Sequence, residues 1–322
     1  MKVAVLSGGR SSEHDVSLRS GDSVARGLEA AGHQALPVTI SRQGGWSCEG
    51  AAAVQLIPGE GLLGCDVAFP ALHGPFGEDG SVQGLLEQLD IPYVGSDVLA
   101  SATCIDKLTL KRLFAQAGVP QVEFVGVGEP GWRERCAELG LPLWVKPSRL
   151  GSSVGISKVE SLAELDRAVE VALSHDPRVI IEASAAGREV ECSVLGNESL
   201  ETSLPGEIVA HADWYDFEAK YEAGGMELAV PASIGEEQTA RVRQLAAEIF
   251  ALAGCSGLAR CDFFVEPDGE ILVNEINTMP GFTETSVYAK LFEASGIGYA
   301  ELCGRLVELA IERHARARSY EF

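Results

Sequence analysis

The chain is short of positive charge and has no long apolar run. Lys and Arg number 25 against 47 Asp and Glu, a formal net charge of −22. Duplex binding needs a basic surface, so nucleic acid is not an expected partner. An anionic small substrate is still allowed, because local Lys and Arg can reverse the field inside a cleft. No stretch approaches the roughly 20 apolar residues of a membrane span, so no membrane partner is expected either. The opening MKVAVLSGGR has too short an apolar run for a signal peptide. The eight cysteines include no CxxC pair. That argues against a zinc site or disulfide framework and predicts buried thiols in a reducing cytosol. Internal repeats and low-complexity segments are also missing.

What is present is a globular composition, 46% hydrophobic over 322 residues. That length suits two or three domains better than one. An apolar run at Lys2–Leu6 ends in Ser7-Gly8-Gly9, and a helical pattern follows over Val16–Ala31. Further strands are predicted at Ala35–Ile40 and Val67–Leu72, and a helix at Ser81–Leu89. This alternation predicts an α/β fold that opens with a Rossmann-like parallel sheet covered by helices. Ligands of such sheets collect beyond the carboxyl ends of the strands.

Two loops fall there. One carries Glu13, able to hold a substrate ammonium or simply to complement a helix N-terminus. Its Gly-Gly lacks the full G-x-G-x-x-G dinucleotide pattern. The other runs from His73 to Gly80, where His73 is either a substrate contact or a brace for a tight glycine loop.

In the middle of the chain, Ala100–Asp106 reads as a crossing segment. Asp106 is then the predicted cap of a helix that reaches Ala117 and carries Lys107 and Lys111. A strand at Leu143–Val145 leads into Lys146 and the small-residue loop Gly151-Ser152-Ser153. Such a loop lets backbone amides approach an anion, and Lys146 adds a point charge suited to phosphate. The spacing is not that of a Walker loop. Glu182, ending the run Val179–Ile181, is able to read an adenine edge and Glu189 to accept from ribose hydroxyls, or each is simply a solvated strand-end glutamate. Asp213–Gly225 is aromatic, charged and glycine-ended without a clean period, which reads as a lid.

The richest stretch is Gly257–Gly281, GLARCDFFVEPDGEILVNEINTMPG. Asp268-Gly269 between apolar runs predicts a hairpin with a two-residue turn. Counting outward, Asp262 faces Glu275 and Arg260 faces Asn277. Alternation puts these four on one face, and Cys261, Val265, Leu272 and Ile276 on the other. Opposed carboxylates repel, and Arg260 balances only part of their charge. Two carboxylates and an amide oxygen suit Mg²⁺; the alternative is a solvated acidic hairpin face.

Eight segments in order resemble the D-alanine–D-alanine ligase family of the ATP-grasp superfamily. They are LSGGRSSEHDVSLRSG, ALHGPFGEDGSVQG, DKLTLK, VKPSRLGSSVGISKV, LPGEI, DWYDFEAKY, ARCDFF and VNEINTMPGFTETS. The resemblance spans nearly the whole chain. It implies three α/β domains, at residues 1–100, 101–185 and 186–322, the last with the metal site and lid. It further implies ATP-dependent joining of two D-alanines through an acyl phosphate, for peptidoglycan precursor synthesis, in a cytoplasmic homodimer. By matching position, Lys107, Lys146, Ser153 and Lys220 would hold ATP phosphates, with Glu182 and Glu189 at adenine and ribose. Asp262, Glu275 and Asn277 would bind two Mg²⁺, with Mn²⁺ as a substitute. Glu13, networked with Ser152 and Tyr221, would hold the first D-alanine, and Ser286 the carboxylate of the second. Arg260 and the Gly281 amide would stabilise the oxyanion.

Tyr221 at its lid position favours an amine nucleophile over D-lactate. Leu150 departs from members that carry glutamate there. The alternatives are an ATP-grasp ligase with another second substrate (D-lactate, D-serine or another amino acid) and a non-catalytic nucleotide-binding module.

Overall fold

The computed structural model describes residues 1–50, 53–210 and 226–320. Three sheets organise them. The first holds the parallel strands Lys2–Gly8, Gln34–Ile40 and Val67–Pro70, with Lys2–Gly8 in the middle, and a short antiparallel edge at Trp46–Cys48. The expected βα opening is present, with a helix at His14–Ala30 after the first strand. Helix Ser81–Leu89 contributes to the core on one face of this sheet, through Val82, Leu86 and Leu89. Helices His14–Ala30 and Tyr299–Ala317 supply Val24, Leu28, Leu302 and Leu306 to a second core. The C-terminal helix thus returns to the layer where the chain starts.

The middle sheet orders Phe124–Gly126, Val179–Ala183, Leu143–Pro147 and Ser157–Val159, all antiparallel. Helices Trp132–Leu139 and Leu165–Leu173 cover it through Cys136, Leu165 and Val169. The largest sheet is built on Arg188–Gly196, Gly257–Val265 and Ile271–Asn277. Helix Glu236–Leu252 buries Val242, Leu245 and Ile249 against it.

The segment read as a crossing is a helix, Val98–Ile105. Asp97 caps it by accepting from the Ala100 amide. Asp106 caps the next helix, Lys107–Ala117, as expected, accepting from the Thr109 amide. Two capped helices separated by one residue give little periodicity to read in so short a window. All eight cysteines are free, and six are buried.

The hairpin pairs Asp262 with Glu275 and Arg260 with Asn277, but not by the route the sequence suggests. Glu266 accepts from the Gly269 amide and donates its own amide to the Glu270 carbonyl. The loop therefore holds three residues, with Gly269 at φ +92°, the turn-plus-glycine arrangement of three-residue hairpins. That extra residue shifts the register by one. A bulge between Asp262 and Phe263 shifts it back, leaving Asn274 without an opposite partner. Side-chain alternation breaks at the bulge. Ile271 and Val273 join Ile276 in the core, and Leu272, expected there, is only half-buried.

Candidate active site

The carboxyl ends of the first sheet, the loop after Lys146 and the exit of the hairpin enclose one cavity of about 120 Å³. Glu13, His73 and Ser152 line it. Lys107, Glu275 and Asn277 line it too, and Arg260 and Gly281 also reach it. Residues far apart in sequence thus meet in one cleft.

Glu13 sits at the N-cap of helix His14–Ala30, yet its side chain makes no capping bond. Instead, Ser152 Oγ donates to Glu13 Oε1 at 2.5 Å. Gly74 lies against the same carboxylate: a Cβ there would sit 2.7 Å from Glu13 Oε2, at a φ of +72° that disfavours any side chain. Ser152 and Ser153 both hold left-handed backbone, φ +54° and +59°, which is uncommon for non-glycine residues and marks a shaped loop.

His73 is buried, with Nε2 2.9 Å from Ser20 Oγ and Nδ1 3.0 Å from the Met279 carbonyl. Burial lowers its pKa despite the Glu13 charge nearby. Those two bonds match the bracing reading of His73, and the cavity wall it forms leaves the substrate reading standing.

Glu78 was not singled out from the sequence. It is half-buried in the cavity wall, accepting from the Gly74 amide at 2.6 Å and, at 3.4 Å, from that of Met279. Burial, with Glu13 as a second cause, pushes its pKa up to about 8. Its neighbours in sequence are glycine, aspartate and aromatic, a loop without periodicity, so only the fold distinguishes Glu78 from Asp79.

Arg260 forks onto Asp262, with Nε to Oδ1 and Nη2 to Oδ2 both at 2.7 Å, and Nε also lies 3.1 Å from Glu191. Burial opposes the guanidinium charge, but Asp262 and Glu191 outweigh it and hold Arg260 ionised. Asn277 Nδ2 donates to Asp262 Oδ2 at 2.9 Å. Lys107 lies 3.1 Å from Glu275. Burial also works against the Lys107 charge, and Glu275 more than compensates, leaving its pKa raised. The hairpin carboxylates are therefore balanced by Arg260 and Lys107, a neutralisation the sequence reading credited only in part. Among the described residues, no three His, Cys, Asp or Glu side chains gather as a metal-holding group. The oxygens of Asp262, Glu275 and Asn277 still form a hard donor set at one hairpin end, which fits Mg²⁺ once the two cations give way.

Next to the cavity, Glu182 bridges two lysines, Lys146 at 2.5 Å and Lys111 at 3.1 Å. Burial alone would raise its pKa, but the lysines bring it down to about 2. Lys111, 1% exposed, has its own pKa lowered by burial. The Glu182 carboxylate is thus held inside the lysine cluster, not displayed at a strand end. Glu189 is half-buried on the neighbouring sheet. Ser286 stands at the N-cap position of helix Val287–Ala294 without a side-chain capping bond, and its Oγ would lie 3.4 Å from a Cβ at Gly281. Lys220, Tyr221 and the rest of the expected lid lie outside the described residues.

The fold and this cleft define a ligase of the ATP-grasp class. Residues 113–308 match the family described as D-ala D-ala ligase C-terminus, and residues 2–61 and 55–96 match D-ala D-ala ligase N-terminus. The chain is 47% identical to the D-alanine–D-alanine ligase of Deinococcus radiodurans, over 97% of this chain and 98% of that protein. It is 40% identical to the D-alanine–D-alanine ligase A of Escherichia coli, over 98% and 97%. The solved structure of the D-alanine–D-alanine ligase of Coxiella burnetii superposes with a TM-score of 0.90 at 35% identity, covering 99% of this chain and 96% of that one. The VanG D-Ala:D-Ser ligase of Enterococcus faecalis gives 0.88 at 34%, covering 96% and 99%. The chain belongs to the D-alanine–D-alanine ligase family.

Proposed function

We propose that this protein joins two D-alanines at the expense of ATP, supplying D-alanyl-D-alanine for peptidoglycan precursors. The observation that carries the reading is the single cavity lined together by Glu13, Ser152, Arg260 and Lys107. A carboxylate is a poor electrophile for an amine until phosphoryl transfer gives it a leaving group. Glu13 holds the ammonium of the first D-alanine and directs its carboxylate toward the lysine side. Lys107 and Lys146 draw in the ATP phosphates, with Ser153 in the loop between them and the substrate. Glu182 and Glu189 lie toward adenine and ribose.

Asp262, Glu275 and Asn277 would hold Mg²⁺ or Mn²⁺, which neutralises charge on the transferred phosphoryl group. Arg260 and the Gly281 amide stabilise the oxyanion when the second amine attacks, a donor of that kind being worth about 3–4 kcal/mol. Ser286, beside Gly281, receives the second carboxylate. Lys220 and Tyr221 complete the site from the lid, where exclusion of water protects the acyl phosphate. Among the described residues no helix is long and apolar enough to cross a membrane. The family resemblance is what supports a cytoplasmic homodimer.

The test is incubation with ATP, Mg²⁺ and a panel of D-alanine, D-serine, D-lactate and L-alanine, with ADP release and product mass as readouts. D-alanine alone yields ADP and the dipeptide. ADP release that requires D-lactate or D-serine as second partner overturns the assignment.

A further inference from the structure

Behind the lysine cluster lies a buried polar knot whose Asp106, Ser148, Asp176 and Arg178 side chains do not line the cavity, although the adjoining Lys107 does. It joins three pieces of chain: residues 106–109, 148–149 and 176–178. Ser148 is fully buried, and Asp106 and Asp176 are 4% and 3% exposed. Asp106 Oδ1 accepts from Ser148 Oγ at 2.7 Å, and its Oδ2 lies 2.5 Å from Arg178 Nη1. Ser148 in turn caps the neighbouring helix from outside: its carbonyl accepts from the Lys107 amide at 2.9 Å and its Oγ from the Leu108 amide at 3.0 Å. The Ser148 amide donates to the Arg178 carbonyl. Asp176 accepts from the backbone amides of both Arg149 and Arg178, at 2.7 and 3.0 Å, and from the Arg149 guanidinium at 2.6 Å.

Each of these anchors lies close in sequence to a charged group of the cleft. Asp106 directly precedes Lys107. Ser148 stands two residues after Lys146, and Arg149 two before Gly151. Arg178 directly precedes the strand that carries Glu182. Lys107, Lys111 and Lys146 repel one another, and Glu182 and Glu275 offset the repulsion without fixing positions. A buried network with every partner satisfied is rigid, and removing one partner strands the others.

We propose that Asp106, Ser148 and Asp176 are positioning residues that hold Lys107 and Lys146 at the spacing a nucleotide polyphosphate requires. The inference rests on the assignment of the two lysines to ATP phosphates, and it adds that their placement is set from behind by this knot. It assigns the knot to the nucleotide and not to either D-alanine.

The test compares Asp176→Asn, Ser148→Ala and Arg178→Gln with Lys107→Ala and Lys146→Ala. Readouts are KM for ATP, KM for D-alanine, kcat, the Kd of ADP with Mg²⁺ by calorimetry, and the thermal midpoint. The knot variants raise KM for ATP and the Kd of ADP tenfold or more, with KM for D-alanine within about twofold of the parent. If they lower the thermal midpoint and leave both nucleotide constants unchanged, the knot only staples the fold and the proposal is wrong. Should Asp176→Asn or Ser148→Ala fail to fold, Arg178→Gln decides, because that side chain is 38% exposed and its loss leaves little buried void. If the lysine variants also leave ADP binding intact, the phosphate assignment fails first and takes the inference with it. If the lysines matter and the knot does not, the inference alone fails.

Discussion

Ser152 donates to Glu13 across 139 residues of chain, a 2.5 Å bond that ties the loop after Lys146 to the helix start beside the first sheet. Because Glu13 makes no cap bond of its own, its carboxylate is free of helix duty. Glu13→Gln should leave the unfolding midpoint nearly unchanged. It should lower kcat/KM for D-alanine about 30-fold or more, since losing one partner of a buried charge pair costs about 2 kcal/mol at least. Steady-state kinetics with D-alanine varied at saturating ATP measures it; an unchanged kcat/KM removes Glu13 from the ammonium site.

Glu78 gives the folded protein an unusual pH dependence. Its pKa rises from 4.5 in the unfolded chain to about 8 in the fold. The folded state therefore holds a proton between those values that the unfolded state has released. The contribution is complete below about pH 4.5 and is lost as pH climbs toward 8. Urea midpoints measured from pH 5 to 9 should fall for the parent, while Glu78→Gln should flatten this part of the profile. Parallel curves for the two proteins would contradict the assignment.

Glu182 works in the opposite sense. Its folded pKa of about 2 lies below its ordinary 4.5, so its stabilisation is present above about pH 4.5 and disappears as pH falls toward 2. Glu182→Gln should lose this acid limb. At neutral pH it should also be less stable by about 3 kcal/mol or more, because Lys111 is left with an uncompensated buried charge. Lys111→Met leaves Glu182 paired with Lys146 and should cost less. Denaturant titrations at pH 3 and pH 7 rank the three proteins.

Arg260→Lys replaces a fork with a point charge. The two parallel bonds to Asp262 cannot both be kept by an ammonium. Removal of an oxyanion donor lowers kcat by about 10²-fold or more; KM for ATP should move far less. A variant whose loss appears wholly in KM would place Arg260 in ground-state binding instead.

The sequence carries the α/β layering, because periodic apolar runs, aspartate caps and glycine stops are local signals. Asp106 as a cap and Ser81–Leu89 as a helix are legible for that reason. The hairpin is legible only in outcome: Asp262 does face Glu275, although the loop is a residue longer than an Asp-Gly pair suggests. A bulge leaves no mark on a seven-residue strand, and Leu272 is misplaced because alternation was assumed to hold through it. Glu78 and Glu191 act through burial and proximity, which the fold creates. Lys107 as the partner of Glu275 is another such case: the two residues sit in separate sheets' territory and meet only when the layers close. The family resemblance named the cleft residues, and it gave no indication that Lys111, placed on its helix but assigned no role, shares Glu182.

The paired irregularities of the hairpin make its tip and its base interdependent. Trimming one residue from Pro267–Gly269 while keeping Asn274 would slide the two strands by a single step, and a single step reverses which surface every later side chain meets. Length changes at this outwardly unremarked loop are therefore tolerable only in compensating twos, and anyone transplanting the ribbon into another scaffold must carry both defects or neither.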